Sequence, residues 1–143
     1  MDINCALALS QIARLKKNIQ RRQELAQLYH SHLSGLHCVK LPSIPHSNSG
    51  THAWHLFAPL FDFKKIGKSR QDVMLELSKN GVGTQVHYIP LYRQPYYRKN
   101  GMPKHFNGAE IYYGRTLSIP MYYGLTYENI ELISKKIRHV LNS

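Results

Sequence analysis

Acidic residues are scarce in this chain of 143 residues, with 8 Asp and Glu against 19 Lys and Arg, a formal charge of +11. Such a balance excludes an acidic, cation-buffering protein and favours anionic partners: phosphates, nucleotides or nucleic acid. The basic residues are scattered, in pairs at Lys16-Lys17, Arg21-Arg22, Lys64-Lys65 and Lys135-Lys136, and no run reaches five like charges. A basic tail is therefore excluded, and most of these cations are expected on solvated surface. Cysteine is equally sparse. Cys5 and Cys38 do not make a disulfide framework and fit a reducing, cytoplasmic setting. No stretch approaches the roughly 20 apolar residues of a membrane span, and residues 1–30 carry charges throughout and lack a signal-peptide core.

Proline and glycine are missing from residues 1–34, so nothing there forces a break in a helix. Ile3, Leu7, Ala8, Ile12, Leu15 and Ile19 recur near helical spacing, and Leu25, Leu28, Tyr29 and Leu33 share a face. The pattern predicts one long helix, or two with a bend near residues 16–20, stopping at Gly35. An apolar helix so close to a terminus needs a covering surface: the rest of this fold, a second copy, or an upstream domain.

Pro42, Pro45 and the run Ser47-Asn48-Ser49-Gly50 predict a turn-rich connection. Trp54 to Phe61 alternates in a strand-like way, with Pro59 marking an edge or bulge. Ser69 and Asp72 have capping-box spacing ahead of a helix burying Val73, Met74 and Leu77 and ending at Asn80-Gly81. A strand is expected from Val82 to Tyr88, with Val82, Thr84, Val86 and Tyr88 on one side. Residues 89–106, rich in Pro, Tyr, Arg and Lys, read as an ordered loop with a short helix, and 107–117 as a further helix. Thr126 caps a last helix burying Ile130, Ile133, Ile137 and Leu141. The order helix, strand, helix, strand, helix, helix implies an α/β (α+β) domain with a short sheet covered by helices.

Four segments in this order resemble the DegT/DnrJ/StrS sugar aminotransferases: residues 1–11, His52-Ala53-Trp54-His55-Leu56-Phe57, Val82 to Leu91 with Gln94-Pro95-Tyr96-Tyr97, and Ala109-Glu110 leading to Leu117-Ser118-Ile119-Pro120-Met121. The resemblance spans essentially the whole chain. Within the family it is strongest toward enzymes that aminate a UDP-linked 4-keto-6-deoxy-hexosamine, as in pseudaminic acid biosynthesis.

The resemblance implies the small C-terminal domain of a fold-type I enzyme using pyridoxal 5'-phosphate. Residues 1–34 would be the inter-domain or dimer helix and 35–143 the small domain. It further implies that the Schiff-base lysine, the acidic partner of the pyridine nitrogen and most phosphate contacts belong to a large upstream domain with no counterpart here. No lysine context in this sequence argues for a Schiff base, which needs burial or a neighbouring cation to depress its pKa. The chain alone is then expected to bind no cofactor and supply no catalytic residue. The candidate substrate-binding residues are Gln85, Val86, His87 and Tyr88, which the resemblance places near a nucleotide-sugar. On the residues alone, His87 and Tyr88 could equally satisfy each other or the backbone at a strand end.

Other readings compete. The histidines show no metal-ligand pattern, and His52 and His55, three apart on a strand, would face opposite sides. Tyr92, Arg93, Tyr96, Tyr97 and Arg98 could stack on and pair with single-stranded nucleic acid, but no RNA-binding fingerprint or helix-turn-helix accompanies them. A dimerising structural remnant, and one half of a split enzyme, both fit a chain without the catalytic half.

Overall fold

The computed structural model describes residues 2–43, 52–101 and 105–142. The predicted turn at Ser47–Gly50 lies outside the described residues. Helix α1 runs unbroken from Asp2 to Leu33, about 48 Å at 1.5 Å per residue. The alternative of two helices parting near residues 16–20 is not adopted. Gly35, at φ +80°, takes the left-handed conformation that ends the helix cheaply. Only the second half of α1 meets the body of the fold. Leu25, Ala26, Tyr29 and Leu33 are buried there, whereas Ile12 and Leu15 are 64% and 52% exposed.

The predicted sheet shrinks to a few rungs. Strand β1 (Val39–Lys40) pairs antiparallel with β2 (Leu60–Phe61), Val39 opposite Phe61. The stretch 116–119 lies between two neighbours, bridged to Phe57 and Leu60 on one side and to Gln85 on the other. Its central place explains why Thr116, Leu117, Ser118 and Ile119 are all buried. The strand expected over residues 54–61 is thus reduced to β2 and a bridge at Phe57, and the strand expected over 82–88 to a bridge at Gln85. Proline accounts for part of this. Pro59 and Pro120 offer no N–H to a ladder, although the Pro59 carbonyl still accepts from the Leu117 amide at 3.2 Å.

Helices supply the rest. After a single turn, α2 (Phe63–Ile66), comes α3 (Arg70–Lys79). The capping box read from the sequence is present: Ser69 accepts from the Asp72 amide, and Asp72 reaches back to the Ser69 amide. That geometry holds the Asp72 carboxyl below the usual range, the Ser69 hydroxyl being the main cause. A 3-10 turn (Leu91–Arg93), α4 (Pro95–Lys99) and α5 (Asn107–Arg115) follow. Helix α6 (Tyr127–Asn142) begins at Thr126, whose hydroxyl accepts from the Asn129 amide at 3.2 Å. It buries Ile130, Ile137, Val140 and Leu141 against α1 and α3.

Many of the basic side chains act as internal ties. Arg22 donates to the Trp54 and His55 carbonyls at 2.9 and 3.1 Å. Arg138 reaches the His32 and Ser34 carbonyls past the end of α1. Arg21 meets the Leu125 carbonyl, Lys136 that of Asn80, and Lys68 that of Val140. Most of the described Lys and Arg residues are exposed, as expected, and these ties come from a partly buried minority whose acceptors are main-chain oxygens, which composition does not reveal.

Candidate functional site

The four sequence-predicted residues sit where the chain leaves its last rung. Gln85 exchanges both backbone hydrogen bonds with Ser118, at 3.1 and 2.8 Å. Its side chain is exposed, while Val86 packs against the core. Half-buried His87 places Nδ1 2.9 Å from the Ser118 hydroxyl. Tyr88 is 74% exposed and stands edge-on to the His87 ring, centroids 4.6 Å apart. The expected alternation therefore holds for Val82 and Val86, turned to the core, but not for Tyr88, because the chain leaves the sheet after Gln85. His87 is satisfied by a hydroxyl as well as by its neighbouring ring, and the Tyr88 surface is open to solvent.

The segment comes down again at the 3-10 turn. Tyr92 is buried, packs on Phe106 and donates its hydroxyl to Glu110 Oε1. Arg93 holds both oxygens of the same carboxylate, Nε to Oε1 at 3.0 Å and Nη2 to Oε2. Bidentate Arg–carboxylate pairs fix direction as well as distance. The Arg93 bond, and then the Tyr92 bond, hold the Glu110 carboxyl below its ordinary range. Burial, with Glu110 beside it, pushes the Tyr92 phenol up. The Arg93 guanidinium also stands over the Tyr113 ring, 5.2 Å from its centroid, and Arg70 lies 4.8 Å from the same centroid.

Residues 85–93 thus form an arch with two feet. One foot stands on Ser118, the other on Glu110 of α5, and the span presents Tyr88, Ile89 and Leu91, all more than half exposed. Ser118 and Glu110 were not predicted as site residues, and Tyr92 and Arg93 only as part of a possible nucleic-acid surface. A signal for Glu110 does exist in the sequence: it is the sole acidic residue between Glu76 and Glu128, amid several cations. Ser118 is marked only by its place in the family-like segment Leu117-Ser118-Ile119-Pro120-Met121.

The metal and cofactor readings can be set against the geometry. His52 Nδ1 accepts the Trp54 amide at 3.0 Å, and among the described residues no group of three or more His, Cys, Asp or Glu could hold a metal ion. Cys5 and Cys38 are free thiols, the first exposed on α1. A Schiff-base lysine must be sheltered from water and free to react. Eight of the ten described lysines are exposed; the others, Lys68 and Lys136, are engaged with Glu76 and the Asn80 carbonyl. The described residues do not fit pyridoxal phosphate as a covalent partner.

Comparison with known proteins places this arrangement in a larger frame. SpsC, a spore coat polysaccharide biosynthesis protein of Bacillus subtilis, is 33% identical over 98% of this chain and 36% of its own length. PseC of Helicobacter pylori, an aminotransferase of pseudaminic acid biosynthesis, superposes with a TM-score of 0.85 at 24% identity, over 96% of this chain and 36% of that one. Spr1654 of Streptococcus pneumoniae, described as a sugar aminotransferase and solved in its PLP-form, gives 0.85 at 22% identity over 99% and 36%. The chain spans about a third of the length of these relatives. The family model for DegT/DnrJ/EryC1/StrS aminotransferases matches residues 1–138, and the chain belongs to that family.

Proposed function

We propose that this chain is the C-terminal domain of a nucleotide-sugar aminotransferase and supplies substrate-binding surface but no catalytic group. The observation that carries this reading is the continuous family match over residues 1–138 beside ten described lysines without a Schiff-base setting. In the full enzyme an amine passes from glutamate, through pyridoxal phosphate, to a UDP-linked 4-keto-6-deoxy sugar. This chain's part is the arch, where Gln85, Val86, His87 and Tyr88 receive the sugar-nucleotide. The phenol of Tyr88 is free to meet a hydroxyl or diphosphate, and its ring offers an apolar face. The surplus of cations favours an anionic ligand.

Residues 1–34 serve as the helical connector and 35–143 as the small domain. The strip Ala8, Ile12, Leu15 and Ile19 continues the stripe that α1 buries through Ala26, Tyr29 and Leu33. That continuity supports docking of the upstream polypeptide that the relatives carry. Two thiols left free suit a reducing cytoplasm.

The test is a titration of the pure chain with pyridoxal phosphate, followed by borohydride reduction and mapping of labelled lysines. The expected result is scattered, substoichiometric labelling and no turnover of a keto-sugar with glutamate. One stoichiometric lysine adduct, or turnover without an added partner, overturns the reading. Turnover should appear when the upstream portion of a relative such as SpsC is supplied in trans. Nucleotide binding that collapses steeply with salt, alongside tight binding to single-stranded nucleic acid, would favour the tyrosine- and arginine-rich loop as a nucleic-acid surface instead.

A further inference from the structure

The geometry points to Glu110 as a positioning residue: from α5 it pins one foot of the 85–93 arch and so fixes where Tyr88 is presented. Between the Gln85–Ser118 rung and the 3-10 turn, Tyr88, Ile89 and Leu91 are exposed and add little packing of their own. What returns the chain to the body is Tyr92, which enters the core edge beside Phe106, and Arg93, which grips α5. Both converge on one carboxylate. Glu110 Oε1 accepts from the Tyr92 hydroxyl and from Arg93 Nε, and Oε2 from Arg93 Nη2.

A single side chain thus satisfies a buried phenol and fixes the direction of a guanidinium. Tyr113, on the same helix, braces that guanidinium from its ring face. The opposite foot uses the stretch just beyond the same helix, where Ser118 holds the Gln85 backbone and the His87 ring. Both feet lie within nine residues, Glu110 to Ser118, so α5 and its exit act as one template for the loop. A loop held in its binding conformation before the ligand arrives binds more tightly because less order is lost. The functional half of the inference rests on the proposed role of the arch in nucleotide-sugar binding; the pinning itself does not.

The experiment uses the whole 143-residue chain and three variants: Glu110→Ala, Glu110→Gln and Ser118→Ala. Hydrogen exchange is followed at the Arg93 and Gln94 amides, which bond the Pro90 and Leu91 carbonyls at 2.9 Å where the arch lands, with the α6 amides as an internal reference. UDP, and separately TDP, is titrated by NMR. Glu110→Ala should speed arch exchange by on the order of tenfold while α6 exchange holds. It should weaken UDP binding about fivefold. Glu110→Gln keeps the length and one acceptor oxygen and should recover part of both effects. Ser118→Ala removes only the hydroxyl that meets His87, keeps the backbone pair with Gln85, and should leave exchange at Arg93 and Gln94 unchanged.

Unchanged arch exchange in Glu110→Ala overturns the pinning. Faster arch exchange with unchanged UDP affinity overturns the positioning role. If the unmodified chain binds neither nucleotide, the binding role proposed for the arch fails, while the exchange data still judge the clamp. Uniformly faster exchange, α6 included, would make Glu110 a general stability residue and also overturn the inference.

Discussion

The two halves of α1 follow similar rules of sequence and meet opposite fates. Both carry apolar residues at helical spacing, and both belong to one unbroken helix. In the second half Leu25 and Tyr29 are fully buried; in the first, Ile12 and Leu15 face solvent. The periodicity that predicts a helix therefore says that a face will be covered, not by what. The same stripe serves an internal core over one stretch and stands exposed over the next.

The contrast can be broken by substitution. Leu25→Ala should cost about 2–5 kcal/mol in urea unfolding, a large share of the stability of any domain this size. A cost near zero would mean that the second half is as loosely held as the first. Tyr29→Phe should cost less, about 1–2 kcal/mol. It keeps the ring stacked 4.9 Å from Phe57 but removes the hydroxyl that donates to the Pro120 carbonyl at 2.8 Å. Burial pushes that phenol well above its ordinary pKa, so Tyr29 should stay neutral in alkali while exposed tyrosines ionise; ultraviolet titration checks this.

A smaller effect comes from His30. Its ring stands edge-on to Phe57 and Trp54, and its buried Nε2 has no hydrogen-bond partner among the described residues. Burial lowers its pKa below the ordinary 6.5. The unfolded chain then takes up a proton first as pH falls. Stability contributed by neutral His30 is complete above 6.5 and is lost toward its lower folded value. NMR titration of the His30 ring should give a midpoint below that of exposed histidines, and an ordinary midpoint would refute the burial. The smallest effect is expected at Leu15, where Leu15→Ser should stay within about 0.5 kcal/mol for this chain. A larger loss would show that the first half of α1 is already covered in solution, and sedimentation at two concentrations would tell whether a second copy covers it.

Much of the helical framework is legible in the sequence because its signals are local. Ser69 with Asp72, Thr126 before α6 and the stop at Gly35 each act within a few residues, and each is realised. The sheet is less legible. Residues 54–61 and 82–88 alternate like strands, yet their pairing depends on residues 116–119, which the sequence suggested only as a helix end and a connection. Long-range pairing leaves no local mark. The position of Gln85, Val86, His87 and Tyr88 on one short segment needed only their adjacency, while the supports of the arch join residues far apart in sequence, Arg93 with Glu110 and His87 with Ser118. Tyr88 was expected on the same side as Val86, and the departure of the chain from the sheet turns it outward.

The arginine and lysine ties to main-chain carbonyls have a consequence for how this fold can change. A carboxylate partner can be neutralised by acid or replaced by mutation. A peptide oxygen takes up no proton in this range and is present whatever residue carries it. The seams made by Arg22 and Arg138 are therefore vulnerable from one side only. Neighbouring side chains are free to drift over evolutionary time as long as the two guanidinium groups stay.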